Sequence, residues 1–267
     1  MDIDINTILT SVLVVGSASM ALGFGLSYAS VKLKVEEDPR IAEVQDVLPG
    51  ANCAACGFPG CAGFAGAVVK GEASPNACPV GGAALVQQIS AILGVEVKET
   101  ARMAAYIHCN GNNTHAKSQY DYHGMQDCFA ANQLPGGGAK ACNYGCLGEG
   151  SCKTVCDFNA VIIEDGIARI DNDKCVACGK CIPACPKNLI SIVPHGSKVR
   201  VACNSQDDGK TVKGNCSVGC IGCRICVKAC GETAAIGMDG KLAVIDYEKC
   251  TDCGACAGKC PGKCIEQ

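Results

Sequence analysis

The longest apolar run comes first in the chain. Ile8 to Ala29 is 22 residues without a charge, enough for one helix to cross the hydrocarbon layer of a bilayer. Asp2 and Asp4 precede it, whereas a secretory leader opens with basic residues, and no convincing Ala-x-Ala cleavage site follows. Lys32, Lys34 and Arg40 come after the run, and no Lys or Arg comes before it. Positive residues mark the cytoplasmic side. The expectation is a single-pass anchor in the plasma (inner) membrane, with the remainder of the chain on the cytoplasmic side. Ser17, Ala21, Gly25 and Ala29 recur every four residues, giving a face of small side chains that lets another helix approach closely.

Beyond the anchor the pattern is of short elements. Val31 to Asp46 is charged and reads as a juxtamembrane linker. Ala62–Lys70 and Ala83–Leu93 carry helical patterns, the second ended by Gly94. Val95 to Lys140 is irregular and rich in Asn, Gly and Gln. Two apolar strand pairs follow: Val161–Ile163 with Ile167–Ile170 flank Asp165-Gly166, and Ile236–Met238 with Leu242–Ile245 flank Asp239-Gly240. An Asp-Gly pair between apolar strands is a strong hairpin signal. The pattern predicts an α+β chain divided into an anchor (1–33), a small domain (34–94), a connecting insert (95–141), a first unit (142–190), a connector (191–215) and a second unit (216–267).

Composition changes this picture sharply. The chain has 267 residues, 25 cysteines and no tryptophan, and aromatics are only 4%. So few large side chains suit several small units, each organised around a cross-link, better than one large core. Disulfides and metal clusters compete at this cysteine density. Most cysteines sit in C-x2-C or C-x3-C runs, and the total is odd; such close neighbours suit a shared metal cluster. The formal net charge of -3 counts every thiol as neutral, and each [4Fe–4S] core on four thiolates adds roughly -2. No basic stripe appears, which argues against nucleic acid as a partner.

The cysteines also reveal an internal duplication. Cys142, Cys146, Cys152 and Cys156 recur 74 residues later as Cys216, Cys220, Cys226 and Cys230. Cys175, Cys178, Cys181 and Cys185 recur 75 residues later as Cys250, Cys253, Cys256 and Cys260, each run ending in Cys-Pro. These runs match bacterial two-cluster ferredoxins, in which three cysteines of one loop hold one cluster and the fourth reaches the other. Zinc ribbons instead use separated C-x2-C pairs. The exchange rule yields Cys220, Cys223, Cys226 and Cys260 for one site and Cys230, Cys250, Cys253 and Cys256 for its neighbour. In the first copy Cys156, Cys175, Cys178 and Cys181 make a site. Cys146, Cys152 and Cys185 lack a fourth member, because Glu149 stands where the second copy has Cys223. Cys142 is the expected replacement; a three-cysteine [3Fe–4S] site is the alternative.

Upstream, Cys53, Cys56, Cys61 and Cys78 close one further site without outside help, Cys61 falling at a helix start where thiolate is favoured. That makes five [4Fe–4S] clusters. Cys109, Cys128, Cys203, Cys216 and Cys264 remain. They read as ordinary buried or spare thiols, or the first four form a sixth cluster. Gly209-Lys210-Thr211 imitates the end of a phosphate loop, but Asn204 stands where the required glycine belongs. There is no G-x-G-x-x-G fingerprint for nicotinamide or flavin. His108, beside Cys109, reads as structural, with metal contact as the alternative. No residue stands out as a general acid, base or nucleophile.

The N-terminal span, the run from Pro49 through Cys53, Cys56 and Cys61 with Cys78-Pro79, and the ferredoxin-type runs together resemble the B subunit of the Rnf electron-transport complex. The second ferredoxin region and the insert with Cys109 and Cys128 are similar to the long form found in anaerobes. The resemblance implies an electron-transfer subunit of an ion-translocating ferredoxin:NAD+ oxidoreductase. Soluble ferredoxin would be its donor, and other membrane and peripheral subunits would carry the flavin and nicotinamide sites. An electron-transfer subunit of a hydrogenase or formate system is the alternative.

Overall fold

The computed structural model describes residues 5–32, 38–97 and 101–267; Asp2, Asp4 and Lys34 lie outside them. Helix α1, Ile5–Lys32, contains the apolar span, of which Val12–Ser30 is long and apolar enough to cross a membrane. Leu13, Met20, Phe24 and Leu26 all lie exposed along it, as suits side chains meant for lipid.

Three helices build the next unit: α2 (Pro39–Val47), α3 (Gly60–Val69) and α4 (Gly82–Leu93). Asp38 caps α2 by accepting from the Arg40 N–H, and Gly94 ends α4 in a left-handed turn at φ 67°. Their apolar faces meet in one core of Val44, Leu48, Phe64, Ala65, Val68, Leu85 and Ile89. Full burial of a residue such as Phe64 stabilises by roughly 1.5–3 kcal/mol. Cys56, Cys61 and Cys78 pack against this core.

The duplicated region starts earlier than its cysteine runs. Strand β1 (Met103–Ile107) lies in the expected insert, followed by short helices α5 (Cys128–Asn132) and α6 (Ser151–Thr154). Then come β2 (Val161–Glu164), β3 (Ile167–Ile170) and β4 (Ile190–Pro194). The hairpin β2–β3 turns at Asp165 and Gly166, both at positive φ, the type I′ geometry expected of Asp-Gly. β1 pairs antiparallel with β4, Ala105 opposite Ile192. The insert thus supplies a strand that closes the first copy.

The second copy repeats the plan with β5 (Arg200–Val201), α7 (Gly209–Asn215), α8 (Ile225–Cys230), β6 (Ile236–Asp239), β7 (Leu242–Ile245), α9 (Ala255–Gly258) and β8 (Ile265–Glu266). β5 pairs with β8 as β1 pairs with β4. Its hairpin turns on Gly240-Lys241 rather than Asp239-Gly240, since Asp239 is already paired opposite Leu242. Only Gly240 of that turn has positive φ, the pattern of a II′ turn with glycine first.

The copies are sewn together along a shared face. Asn110 N–H donates to Ala202 O, Lys117 N–H to Asn215 O and Ser217 N–H to His115 O. Tyr106 donates to the Glu266 carboxylate at 2.8 Å, and Arg169 pairs with the same carboxylate at 3.6 Å. His108 bonds Ser191 through Nε2 and Val201 O through Nδ1. Burial lowers its pKa, so a neutral ring with both nitrogens engaged tethers β4 to β5.

Candidate iron–sulfur centres

Each copy's core is built around cysteine-lined space rather than around aromatic rings. In the first, Cys146, Cys152, Cys175 and Cys181 are buried among small and branched residues such as Ala105, Ala160, Ile167 and Leu189. In the second, Cys220, Cys226 and Cys256 sit among Val199, Ile236, Ala243 and Ile265. All 25 cysteines are free thiols. Among the described residues no three His, Cys, Asp or Glu side chains converge on a point that would hold a single metal ion. They ring cavities instead.

One cavity is lined by Cys156, Cys175, Cys178 and Cys181. Another has Cys230, Cys250, Cys253 and Cys256. A third has Cys220, Cys223, Cys226 and Cys260, with Cys264 as an additional lining thiol. In the small N-terminal unit, Cys53 and Cys56 lie close enough to act electrostatically on Cys78, and Cys61 lies in the first turn of α3, its N–H donating to Asn52 Oδ1.

The two remaining cavities bring cysteines together differently from the expected grouping. Cys146, Cys152 and Cys185 share theirs with Cys128, not with Cys142. The cause is local. Asp127 caps α5 and also accepts from Ser151 Oγ, while Cys128 N–H donates to that same Ser151 oxygen at 2.7 Å. Ser151 immediately precedes Cys152, so this bonding draws Cys128 onto the loop that lacks a cysteine at 149. Glu149 does not line the cavity.

Cys142 goes elsewhere. It lines a separate cavity together with Cys109, Cys203 and Cys216. Cys142 stands here beside Cys109, Cys203 and Cys216, where Cys128 was expected. Its members come in equivalent pairs: Cys109 and Cys203 each follow a first strand by two residues, and Cys142 and Cys216 stand 74 apart in the duplication. Each copy contributes half of this ring.

Backbone donors aim at the sulfurs. Ala105 N–H reaches Cys175 Sγ at 3.3 Å, Ala160 reaches Cys156, Ala168 reaches Cys146 and Leu189 reaches Cys185. Cys146 N–H donates to Cys109 Sγ and Cys220 N–H to Cys203 Sγ, each at 3.3 Å. That matched pair ties the shared ring to one cavity in each copy. Burial pushes the Cys152 thiol up to about 12, with Cys146, Cys128, Cys185 and Cys181 adding to it. Burial likewise holds Cys146, Cys181, Cys203 and Cys226 near 11. Thiolates there require a cationic partner, and metal supplies it by displacing the protons. Four soft thiol donors per cavity, each cavity fringed by N–H groups, fit [4Fe–4S] clusters.

Two charged or polar extras stand out. Lys140 is buried beside the shared ring, donating to Gly111 O and Gly166 O at 2.8 and 2.7 Å. Burial lowers its pKa while the thiols of Cys109, Cys146 and Cys216 oppose the shift. Cys264 lies 3.5 Å from Cys260 Sγ. Its thiol hydrogen bonds bring Cys220 down to about 6 and Cys260 to about 5, driving Cys264 itself upward.

Family models match the same regions. Residues 48–80 match an Fe-S cluster family, 168–191 a 4Fe-4S binding domain and 219–265 a 4Fe-4S dicluster domain. The B subunit of the Na(+)-translocating ferredoxin:NAD(+) oxidoreductase complex of Acetobacterium woodii is 43% identical, covering 98% of this chain and 78% of its own. The B subunit of the ion-translocating oxidoreductase complex of Methanosarcina acetivorans is 44% identical over 98% of both chains. The B subunit of the proton-translocating ferredoxin:NAD(+) oxidoreductase complex of Clostridium ljungdahlii is 40% identical over 98% of this chain and 93% of its own. The chain belongs to the family of B subunits of the ion-translocating (Rnf) oxidoreductase complex. As an Rnf B subunit it is an iron–sulfur electron-transfer component of the ion-translocating ferredoxin:NAD+ oxidoreductase. The hydrogenase and formate alternatives fall away. With the Vibrio cholerae B subunit the match is 36% over only 39% of this chain, so most of the long form's length has no counterpart in that alignment.

Proposed function

We propose that this Rnf B subunit takes low-potential electrons from soluble ferredoxin and relays them along six four-cysteine sites. The sets are Cys53, Cys56, Cys61 and Cys78; Cys156, Cys175, Cys178 and Cys181; Cys128, Cys146, Cys152 and Cys185; Cys109, Cys142, Cys203 and Cys216; Cys220, Cys223, Cys226 and Cys260; Cys230, Cys250, Cys253 and Cys256. Cys264 alone is left out. When bound, a [4Fe–4S] cluster accepts and releases one electron at a time. The protein's own part is to hold the thiolates, aim N–H dipoles at them and exclude water. It includes no acid–base step.

The shared ring carries this reading, because it joins two otherwise separate groups of sites into one series. Neighbour relations support a linear order. Cys53 acts on Cys178, Cys181 acts on Cys152, and the 146-to-109 and 220-to-203 hydrogen bonds flank the ring. Cys226 and Cys230 share α8, linking the last two sites.

The tandem two-cluster ferredoxin arrangement, the single pass of α1 and the cytoplasmic side of the soluble part belong to the same proposal. Lys32 and Arg40 after the span support that orientation. Other subunits of the complex would bind flavin and nicotinamide.

Anaerobic purification of the full chain in mild detergent, with iron and sulfide assays, tests the site count. About 24 irons per chain are expected for six four-iron sites, and about 20 would return the count to five. Bleaching of the visible absorption on adding reduced ferredoxin tests the donor. A chain that stays oxidised under excess reduced ferredoxin would remove that assignment.

A further inference from the structure

The two copies share a loop conformation that forces certain residues into left-handed backbone. After the second cysteine position of each loop, Gly150 (φ 84°), Gly179 (φ 78°) and Gly254 (φ 73°) fill this position. Glycine is the residue that adopts it without penalty. The fourth equivalent is Arg224, at φ 60°. A second left-handed position follows the Cys-Pro of each copy, where the first copy has Asn188 (φ 52°), a residue that tolerates it, and the second has Lys263 (φ 45°). Long cationic side chains thus occupy two conformations that disfavour them. Backbone strain of this kind clusters at functional sites, although Ala54, Ala177 and Ala234 adopt it as well.

Both positions border one cavity. Arg224 lines the Cys220, Cys223, Cys226 and Cys260 site directly, and Lys263 sits between its lining residues Gly262 and Cys264. Lys228, one turn along α8, and Lys259, at the end of α9, extend the cationic rim; all four side chains are exposed. None forms an ion pair among the described residues. The first copy has Gly150, Thr154, Ala184 and Asn188 at these places, and its own nearby lysines are Lys153 and the half-buried Lys187. Cys223 is exposed, as is Cys253 of the neighbouring site, whereas the other cysteines are at least partly buried. Ile225, beside it, is 40% exposed, whereas its counterpart Ser151 is buried.

We infer that the rim of Arg224, Lys228, Lys259 and Lys263 around Cys223 is the docking surface for an acidic, soluble electron-carrying protein. Unpaired cations around one exposed apolar residue steer an anionic partner to the exposed Cys223 edge of this site. A permanent subunit contact would call for a larger apolar face. The inference rests on the reading of ferredoxin as donor and names its face.

The test uses the full chain, purified anaerobically in detergent with its clusters, and a small acidic two-cluster ferredoxin as probe. Binding is titrated calorimetrically at low and high salt. The variant Arg224→Gly with Lys263→Asn installs the first copy's residues and removes two charges while relieving backbone strain. It is expected to keep its iron, melt at the same or a higher temperature, bind about tenfold more weakly at low salt and lose much of its salt dependence. Removing the same charge at exposed Lys117 and Lys174 should change affinity less than twofold. Unchanged affinity in the rim variant would overturn the assignment of the face and leave the donor reading standing. No binding by the unaltered protein at any salt concentration would overturn both.

Discussion

The two halves of the duplicated region have the same strands, the same loops and the same Cys-Pro endings, yet they complete their sites by different means. The second copy is self-contained: Cys220, Cys223, Cys226 and Cys260 come from its own two loops. The first has Glu149 in place of Cys223, and a segment outside the loops brings in Cys128, tied down by Ser151 and Asp127. The second copy instead adds Cys264, where the first has Leu189, and places cations at Arg224 and Lys263. A duplicated frame fixes where a cluster can sit. What completes and tunes it comes from residues that differ.

The most drastic way to break this comparison is at Cys128. Cys128→Ser should remove one cluster or leave a three-iron remnant, lowering iron from about 24 to about 20–23 per chain. Adding Glu149→Cys should restore it by giving the first copy the second copy's loop. Iron assay and EPR of the reduced protein read both steps. Failure of the second substitution to rescue would mean that the copies differ in more than the missing thiol.

Lys140 sharpens the contrast in charge, because its counterpart in the second copy is Gly214. A buried cation beside a site favours the more negative, reduced state. Lys140→Met should lower the potential of the shared site by roughly 40–90 mV, corresponding to about 1–2 kcal/mol. It should also lower the melting temperature, since Gly111 O and Gly166 O lose their donor. A potentiometric EPR titration measures the first effect. A smaller shift is expected at Cys264. Cys264→Leu installs the first copy's residue and removes an S–H donor worth about 1 kcal/mol, lowering the potential of the Cys220, Cys223, Cys226 and Cys260 site by roughly 40 mV. An unchanged or raised midpoint would show that the thiol is only packing.

The sequence made much of this readable. The C-x2-C-x2-C runs announce their own clusters because three ligands on one tight loop must share a cube, and the hairpins follow from Asp-Gly and alternating apolar residues. The exchange of Cys128 and Cys142 was not readable. Their distances along the chain from Cys146 favour Cys142, whereas the bonds among Asp127, Cys128 and Ser151 on which the proposed exchange rests exist only in the fold. One further signal lies in the chain itself. Tyr106-Ile107-His108-Cys109 and Arg200-Val201-Ala202-Cys203 each place a cysteine two residues after a short strand, which marks both as duplicated positions. The same signal moves the start of the first copy back to β1.

The shared ring is the central claim, and paired removal of its members tests it most directly. Cys142→Ser, Cys216→Ser and the double variant would be purified anaerobically and assayed for iron. If both cysteines hold one cluster, each single variant falls from about 24 to about 20 irons, or to about 23 if a three-iron form survives, and the double variant stays at about 20. Full iron in Cys216→Ser, or about 16 in the double variant, would contradict a site built half from each copy.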